Sequence, residues 1–231
     1  MEAAQSLIRE YVREIGGVDG VMGFSQVRKG RAYGLNYVLL DGPYCSDSNS
    51  PLLFFLQSSL PTLSGQGAAL AASMILHDEI AGRTPIFRMA IFICSPVPFS
   101  YSLQYGIDTR TYFGLQADAP IRPGCPCKVP EYLITDKAYL QGEEGEDDVS
   151  ATYYQMFHPT VDTVRINIPT AHIYGRKDPW RRHSLDLVRL CRKEGTSVYE
   201  HSSGHVIPKQ DDEEEEMCNV IETAMASIAA V

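Results

Sequence analysis

A nucleophile motif split by forty residues constrains this chain more than any other feature of its sequence. Gly23-Phe24-Ser25-Gln26 follows a short apolar segment and begins the pattern G-x-S-x-G, but the next residue is Val27. The missing glycine and a small-residue stretch, Gly-Ala-Ala-Leu-Ala-Ala, come only at residues 67–72. Joining residue 26 to residue 67 gives a complete nucleophile elbow, in which glycines make room for a serine on a sharp strand-to-helix turn. The sequence therefore predicts a serine hydrolase whose elbow is interrupted by residues 27–66.

Composition and charge limit the class of protein. The chain has 231 residues, of which 44% are hydrophobic, and this is enough for one globular domain with its own core. The formal charge of −9 argues against nucleic acid as a partner. No stretch is long and apolar enough to cross a membrane, and the first residues lack the pattern of a signal peptide. The six cysteines lack metal-type spacing, so we expect structural or incidental thiols in a reducing cytosol.

Apolar periodicity predicts an α/β fold with a parallel sheet, because strands and helices alternate along the chain. Strands are expected at 18–22, 87–94, 169–175 and 197–201. Helices are expected at 4–15 and 67–81, around 185–190 and at 217–228. The proline-rich stretch 95–155 is interpreted as irregular connections and a lid over the core. Residues 27–66 show no clear period, so a protruding, poorly ordered excursion is expected there.

Three polar residues follow predicted strands, and their order along the chain is Ser25, Asp178, His205. Active sites of parallel α/β sheets lie at the carboxyl ends of the strands, and this order is that of α/β-hydrolases. Serine needs a base to remove its proton, which His205 would supply, and Asp178 would orient the imidazole. The other five histidines have no serine or acid at a matching strand end.

One rival nucleophile competes with Ser25. Ser64-Gly65-Gln66-Gly67 also leads into the small-residue helix, but no apolar strand precedes Ser64. Ser25 is therefore the preferred nucleophile and Ser64 the alternative. This chemistry requires no metal and no organic cofactor.

Four segments together resemble the FSH-type fungal serine hydrolases, a family of α/β-hydrolases that includes LovG-like polyketide thioesterases and esterases. They are Asp-Gly-Val-Met-Gly-Phe-Ser-Gln (19–26), Gly-Ala-Ala-Leu-Ala-Ala (67–72), Ile-Pro-Thr-Ala-His-Ile-Tyr-Gly-Arg-Lys-Asp (168–178) and Gly-His-Val-Ile-Pro (204–208). The resemblance covers residues 1–26 and 67–231, which we treat as a single domain. It implies that Ser25 is the nucleophile, Asp178 the acid and His205 the base. It also implies small acyl esters or thioesters as substrates, and an acyl carrier protein of a polyketide synthase as a partner.

The chain departs from this family in two places. Family members begin with strands and a His-Gly loop that supplies an oxyanion donor, whereas this sequence begins at the helix before the nucleophile strand. The backbone N–H of Gln26 is then the remaining expected donor, and the edge of the nucleophile strand is expected to be exposed. Losing one oxyanion donor costs roughly 10²–10³ in rate.

The second departure is the insertion at 27–66. Valine codons begin with GT and one glutamine codon is CAG, so a retained intron running from Val27 to Gln66 would leave an intact motif and reading frame on removal. We interpret the segment as such an intron in preference to an evolved insertion. The alternative to an active hydrolase is a catalytically dead pseudoenzyme or an interaction module that retains the sheet.

Overall fold

A computed structural model describes residues 2–14, 16–24, 36–41, 52–57, 67–108 and 155–230 of the chain. Strands β1 to β4 span Gly20–Phe24, Asn36–Asp41, Leu52–Gln57 and Met89–Ile93, and strands β5 to β8 span Phe99–Ser100, Gln155–Met156, Thr170–Gly175 and Thr196–His201. Helices α1 to α4 span Glu2–Glu14, Gly67–Ile80, Arg181–Arg189 and Asp211–Ala226, and a 3₁₀ turn follows at Ser227–Ala230. The helices and parallel strands predicted from periodicity are all present, with bounds that differ by a few residues.

The main sheet has six strands in the order β3-β2-β1-β4-β7-β8. Strands β1, β4, β7 and β8 are parallel to one another, which confirms the predicted α/β class. The register pairs Phe24 with Ile93, and Ile93 with Ile173. The carboxyl ends of β1, β4 and β7 therefore lie side by side, at the same end of the sheet.

Helices cover both faces of this sheet. Side chains of β4 alternate between the faces, because successive residues of a strand point in opposite directions. Ala90 and Phe92 pack with the helices α1, α2 and α3, whereas Ile91 and Ile93 pack with α4. All five residues of β4 are buried, as expected for a strand between two helical layers.

Two helices illustrate how the sequence determines the packing. In α2, residues 67–78 are all buried, because small alanine side chains let this helix lie close to the sheet. In contrast, α4 begins with six acidic residues, and the four in its first turn complement the helix dipole. One of them, Glu213, also accepts hydrogen bonds from the backbone N–H and hydroxyl of Ser202, at 3.0 and 2.7 Å. The acidic run therefore has a structural role at the start of α4.

The expectation for residues 27–66 is wrong at two segments. Residues 36–41 form β2, which pairs antiparallel with β1, and residues 52–57 form β3, which pairs antiparallel with β2. The edge of β1, predicted to be exposed, is consequently paired with β2. Unpaired N–H and C=O groups along β1 favour such pairing, and apolar runs such as Leu-Leu-Phe-Phe-Leu at 52–56 have high strand propensity.

The structure describes residues 95–108 and 155 of the predicted lid region. Strands β5 and β6 form a separate two-stranded sheet, and Ile107 forms an isolated bridge with Met156. The remainder of the predicted lid, including the acidic stretch 142–148, lies outside the described residues. Across the part of the chain that the structure describes, every helix is too short or too polar to cross a membrane.

Candidate active site

The strand and the helix of the split elbow lie together. Gly23, in β1, packs so closely on α2 that a Cβ atom there would overlap the backbone and side chain of Ala68. Only glycine fits this approach, as expected where a nucleophile strand meets the helix that follows it. The two halves of the motif are thus neighbours in space, although 44 positions separate Gly23 from Ala68. Ser25, Gln26 and Ser64 lie outside the described residues.

The loops that carry Asp178 and His205 are joined by hydrogen bonds at the carboxyl end of the parallel strands. The Arg176 N–H donates to the carbonyl of His201 at 2.8 Å, and the Lys177 N–H donates to that of Ser203 at 3.0 Å. Gly175, at the end of β7, lies against this second loop, and a side chain there would overlap the carbonyl oxygens of residues 203 and 204. These contacts hold the two loops in a fixed relative position.

The predicted contact between Asp178 and His205 is present. The imidazole Nδ1 lies 3.0 Å from each carboxylate oxygen. The Asp178 side chain is fully buried, whereas that of His205 is 14% exposed. The backbone N–H of Trp180 also donates to Asp178 Oδ1 at 2.8 Å and thereby fixes the carboxylate at the start of α3. The carboxylate is thus held from two sides.

This geometry determines which imidazole nitrogen can act as a base. An ionised carboxylate only accepts hydrogen bonds, so Nδ1 of His205 must carry the proton that it shares with Asp178. Nε2 is then the basic nitrogen of the neutral ring, and Asp178 stabilises the positive charge that follows proton uptake. The pair can therefore serve as the general base of a nucleophilic hydrolase.

Cys94 is a neighbour of this pair that the sequence analysis missed. Its Sγ, a carboxylate oxygen of Asp178 and a ring nitrogen of His205 all lie within 4.8 Å of one another. Burial, reinforced by the Asp178 carboxylate, raises the pKa of the Cys94 thiol. Cys94 also has a φ of 49°, in the left-handed region that non-glycine residues rarely adopt. The spacing of cysteines along the chain does not indicate where strands end. The signal that could have identified Cys94 was its position directly after β4.

A second histidine–carboxylate pair is buried elsewhere. His158 Nε2 lies 3.3 Å from Asp186 Oδ2, and both side chains are at most 6% exposed. Burial raises the pKa of Asp186 to about 6 and lowers that of His158. The backbone N–H of His158 donates to Asp162 Oδ2 at 2.8 Å. Although the sequence analysis gave His158 no partner, we interpret this pair as structural, because the network holds the segment after β6 against α3.

A cavity of about 760 Å³ lies away from the acid–base pair. It is lined by α1, the Gly16-Gly17 turn and residues near Arg83, and none of Cys94, Asp178 and His205 contributes to its wall. The cluster of Cys94, Asp178 and His205 at the strand ends is therefore a better candidate for the active site than this cavity.

Two curated relatives are fungal esterases. The Esterase alnB of Emericella nidulans is 27% identical over 172 residues, which cover 64% of this chain and 60% of the relative. The Esterase FPY3 of Fusarium mangiferae is 27% identical over 145 residues, which cover 62% of this chain and 45% of the relative. The matched region thus spans only about half of each relative's length.

Two solved structures of esterases are similar in part. The Bacterial Heroin Esterase matches with a TM-score of 0.38 and 18% identity, over 70% of this chain and 49% of that one. The Pyrobaculum calidifontis esterase matches with a TM-score of 0.35 and 18% identity, over 71% of this chain and 50% of that one.

The family profile described as "Serine hydrolase (FSH1)" matches residues 64–217, which are 154 of the 231 residues. The matched region includes α2, the β4 strand, Asp178 and His205. The match begins at residue 64, so the segment 19–26 with Ser25 lies outside it. Over residues 64–217 the match confirms the resemblance found in the sequence, and the chain belongs to the FSH1 serine hydrolase family.

Proposed function

We propose that this chain hydrolyses small carboxylic esters through an acyl-serine intermediate, with Ser25 as the nucleophile. The observation that supports this most strongly is the hydrogen bonding of His205 Nδ1 to both Asp178 carboxylate oxygens at 3.0 Å. This pair lies at the end of the sheet where β1 also ends. Ser25 directly follows Phe24, the last residue of β1. Family membership and the two fungal esterases favour the same chemistry.

The proposed reaction has two half-reactions. His205 Nε2 removes the hydroxyl proton of Ser25 as the oxygen attacks the ester carbonyl, and it then gives that proton to the departing alcohol. A water molecule, activated by the same imidazole, hydrolyses the acyl-serine and releases the acid. The backbone N–H of Gln26 is the proposed donor to the oxyanion.

A fluorophosphonate probe tests this proposal directly, because it labels only an activated serine. We expect the purified chain to be labelled, Ser25→Ala to abolish labelling, and the matched variant Ser64→Ala to be labelled like the parent. Loss of labelling in Ser64→Ala alone would make Ser64 the nucleophile. Absence of labelling in the folded parent would favour the pseudoenzyme alternative.

A thioester substrate on a polyketide acyl carrier protein is the finer part of the proposal. Its support is the family resemblance together with a basic cluster, Arg176, Lys177, Arg181 and Arg182, beside the acid loop. Arg176 and Arg181 both form ion pairs with Glu200, at 2.9 and 2.7 Å, so part of the cluster has a structural role. Lys177 is the residue proposed to attract an acidic carrier. A cytosolic location likewise remains a prediction from the cysteine pattern.

The carrier proposal predicts a selective effect of charge reversal. Lys177→Glu should slow hydrolysis of a carrier-bound acyl thioester, while hydrolysis of the corresponding soluble acyl-cysteamine thioester stays unchanged. Lys193→Glu, the same reversal at an exposed position in the turn before β8, serves as the control. Equal rates for the two variants on the carrier-bound substrate would exclude Lys177 from carrier recognition.

A further inference from the structure

Three chemically different metal-binding groups meet at the carboxyl ends of β4, β7 and β8. Cys94 follows β4, Asp178 lies in the loop after β7, and His205 lies in the loop after β8. Their potential ligand atoms all lie within 4.8 Å of one another. Thiolate, imidazole and carboxylate are the three ligand types that Zn²⁺ takes in proteins, and three protein ligands leave a fourth position for water.

The surroundings of these residues suit a small cation. Cys94 and the side chain of Asp178 are buried, whereas His205 is partly exposed and gives access from solvent. Asp178 Oδ1 accepts the hydrogen bond of the Trp180 N–H at 2.8 Å, whereas Oδ2 lies 3.0 Å from His205 Nδ1 and takes no part in that bond. A cation between Oδ2 and Nδ1 would therefore leave the Trp180 bond intact.

The backbone of Cys94 is unusual at this position. Its φ of 49° is the only positive φ of a non-glycine residue among the described ranges. Such strained conformations concentrate at functional sites, where the surrounding structure holds them in place. The serine hydrolase chemistry proposed above uses Asp178 and His205 but has no use for this thiol.

We propose that Cys94, Asp178 and His205 form a binding site for a thiophilic divalent cation such as Zn²⁺. When the cation binds, a bond forms from the metal to Cys94 Sγ, and the thiol proton passes to solvent. The metal also replaces the proton on His205 Nδ1, and the neutral ring then carries its single proton on Nε2. If the proposed esterase function is correct, the bound cation inhibits it, because the imidazole is then no longer available as a base.

Titration of the purified chain with Co²⁺ tests the site without any substrate. Cobalt bound to a thiolate gives a charge-transfer absorption band that cobalt bound only to nitrogen and oxygen lacks. We expect the band in the parent protein, its loss in Cys94→Ser, and its survival in the double variant C125S/C127S, which removes the close cysteine pair. Absence of the band from the parent, or its survival in Cys94→Ser, overturns the proposal.

A second variant covers the case in which Cys94→Ser does not fold. His205→Gln changes a partly exposed side chain and should weaken Co²⁺ affinity by more than roughly tenfold. Addition of excess Zn²⁺ to the cobalt-loaded parent should remove the band. Unchanged cobalt affinity in His205→Gln overturns the three-ligand site.

The result is separable from that of the esterase test. A chain that binds cobalt through Cys94 but hydrolyses no ester retains the metal site and refutes the proposed function. Conversely, a chain that hydrolyses esters but gives no cobalt band refutes only the metal site.

Discussion

The two edges of the main sheet differ in origin and in pairing. At the β8 edge, β4, β7 and β8 run parallel, and the loops after them bring Cys94, Asp178 and His205 together. At the β3 edge, β2 and β3 run antiparallel and come from the segment that interrupts the nucleophile motif. At the first edge, the parallel strands and the contact of Asp178 with His205 were predicted from the sequence, whereas the position of Cys94 was not. The second edge was predicted to be irregular.

The difference shows what determines strand formation at each edge. Strands β4 and β7 are buried along their whole length, and such strands carry mostly apolar residues that leave a strong signal in the sequence. Strands β2 and β3 form where the free edge of β1 offers backbone groups that need partners. These unpaired backbone groups belong to β1, so the sequence of the segment that forms β2 and β3 does not by itself predict the pairing.

The largest expected effect concerns the carboxylate at the β8 edge. Asp178→Asn should lower the rate of p-nitrophenyl acetate hydrolysis by roughly 10⁴-fold, because an amide no longer holds His205 in its basic tautomer. The same acid-to-amide change at the exposed Glu222, in α4, is the control and should leave the rate unchanged. A rate within threefold of the parent for Asp178→Asn would remove this residue from the triad.

At the opposite edge, Val38→Pro tests whether β2 pairs with β1. Val38 pairs with Met22 on one side and Phe55 on the other, so proline would leave a backbone acceptor without its donor. We expect the free energy of unfolding in urea to fall by about 3 kcal/mol. Val38→Thr keeps the N–H and the β-branch and should change it by less than about 1 kcal/mol. If the two variants were equally stable, the pairing at this edge would be wrong.

The junction between the two regions is tested by Gly23→Ala. The added methyl group would overlap Ala68 and force β1 and α2 apart, which should cost about 2 kcal/mol of unfolding free energy. Gly204→Ala is a matched control, because a Cβ there meets only the Lys177 carbonyl at 3.7 Å. Equal stability of the two variants, measured by urea denaturation, would contradict the close packing of the split elbow.

The smallest predicted effect is a pH dependence that arises from β7. Burial lowers the pKa of His172 from 6.5 to about 3, so the folded state keeps this ring neutral. The unfolded chain takes up a proton below pH 6.5, and stability present above that pH is lost as the pH falls toward 3. At pH 5.5 the loss is roughly 1 kcal/mol.

His172→Gln removes this ionisable group and should reduce the loss of unfolding free energy between pH 7.5 and 5.5 by that amount. The parent protein, denatured in urea at the same two pH values, provides the reference. An identical pH dependence in both proteins would show that the pKa of His172 does not differ between the folded and unfolded states.

The sequence was informative where chemistry and periodicity coincide. Helix α2 and strand β7 were predicted because apolar and small residues recur at regular spacing, and the contact of Asp178 with His205 was predicted because both follow adjacent parallel strands. Cys94 was missed, since a cysteine after a strand has no motif of its own. Its proximity to Asp178 depends on the strand order, in which β4 and β7 are neighbours although some 75 residues separate them.

The pairing of β1 with β2 has a consequence for how the chain emerges from the ribosome. The parallel partner of β1 begins at Met89, 65 residues after β1 ends, and synthesis of that length takes about 3–13 s. The hairpin of β2 and β3 is complete only 33 residues after β1, in about half that time. The interrupting segment can therefore shield a nascent apolar strand from other chains while the remainder of the sheet is still being translated.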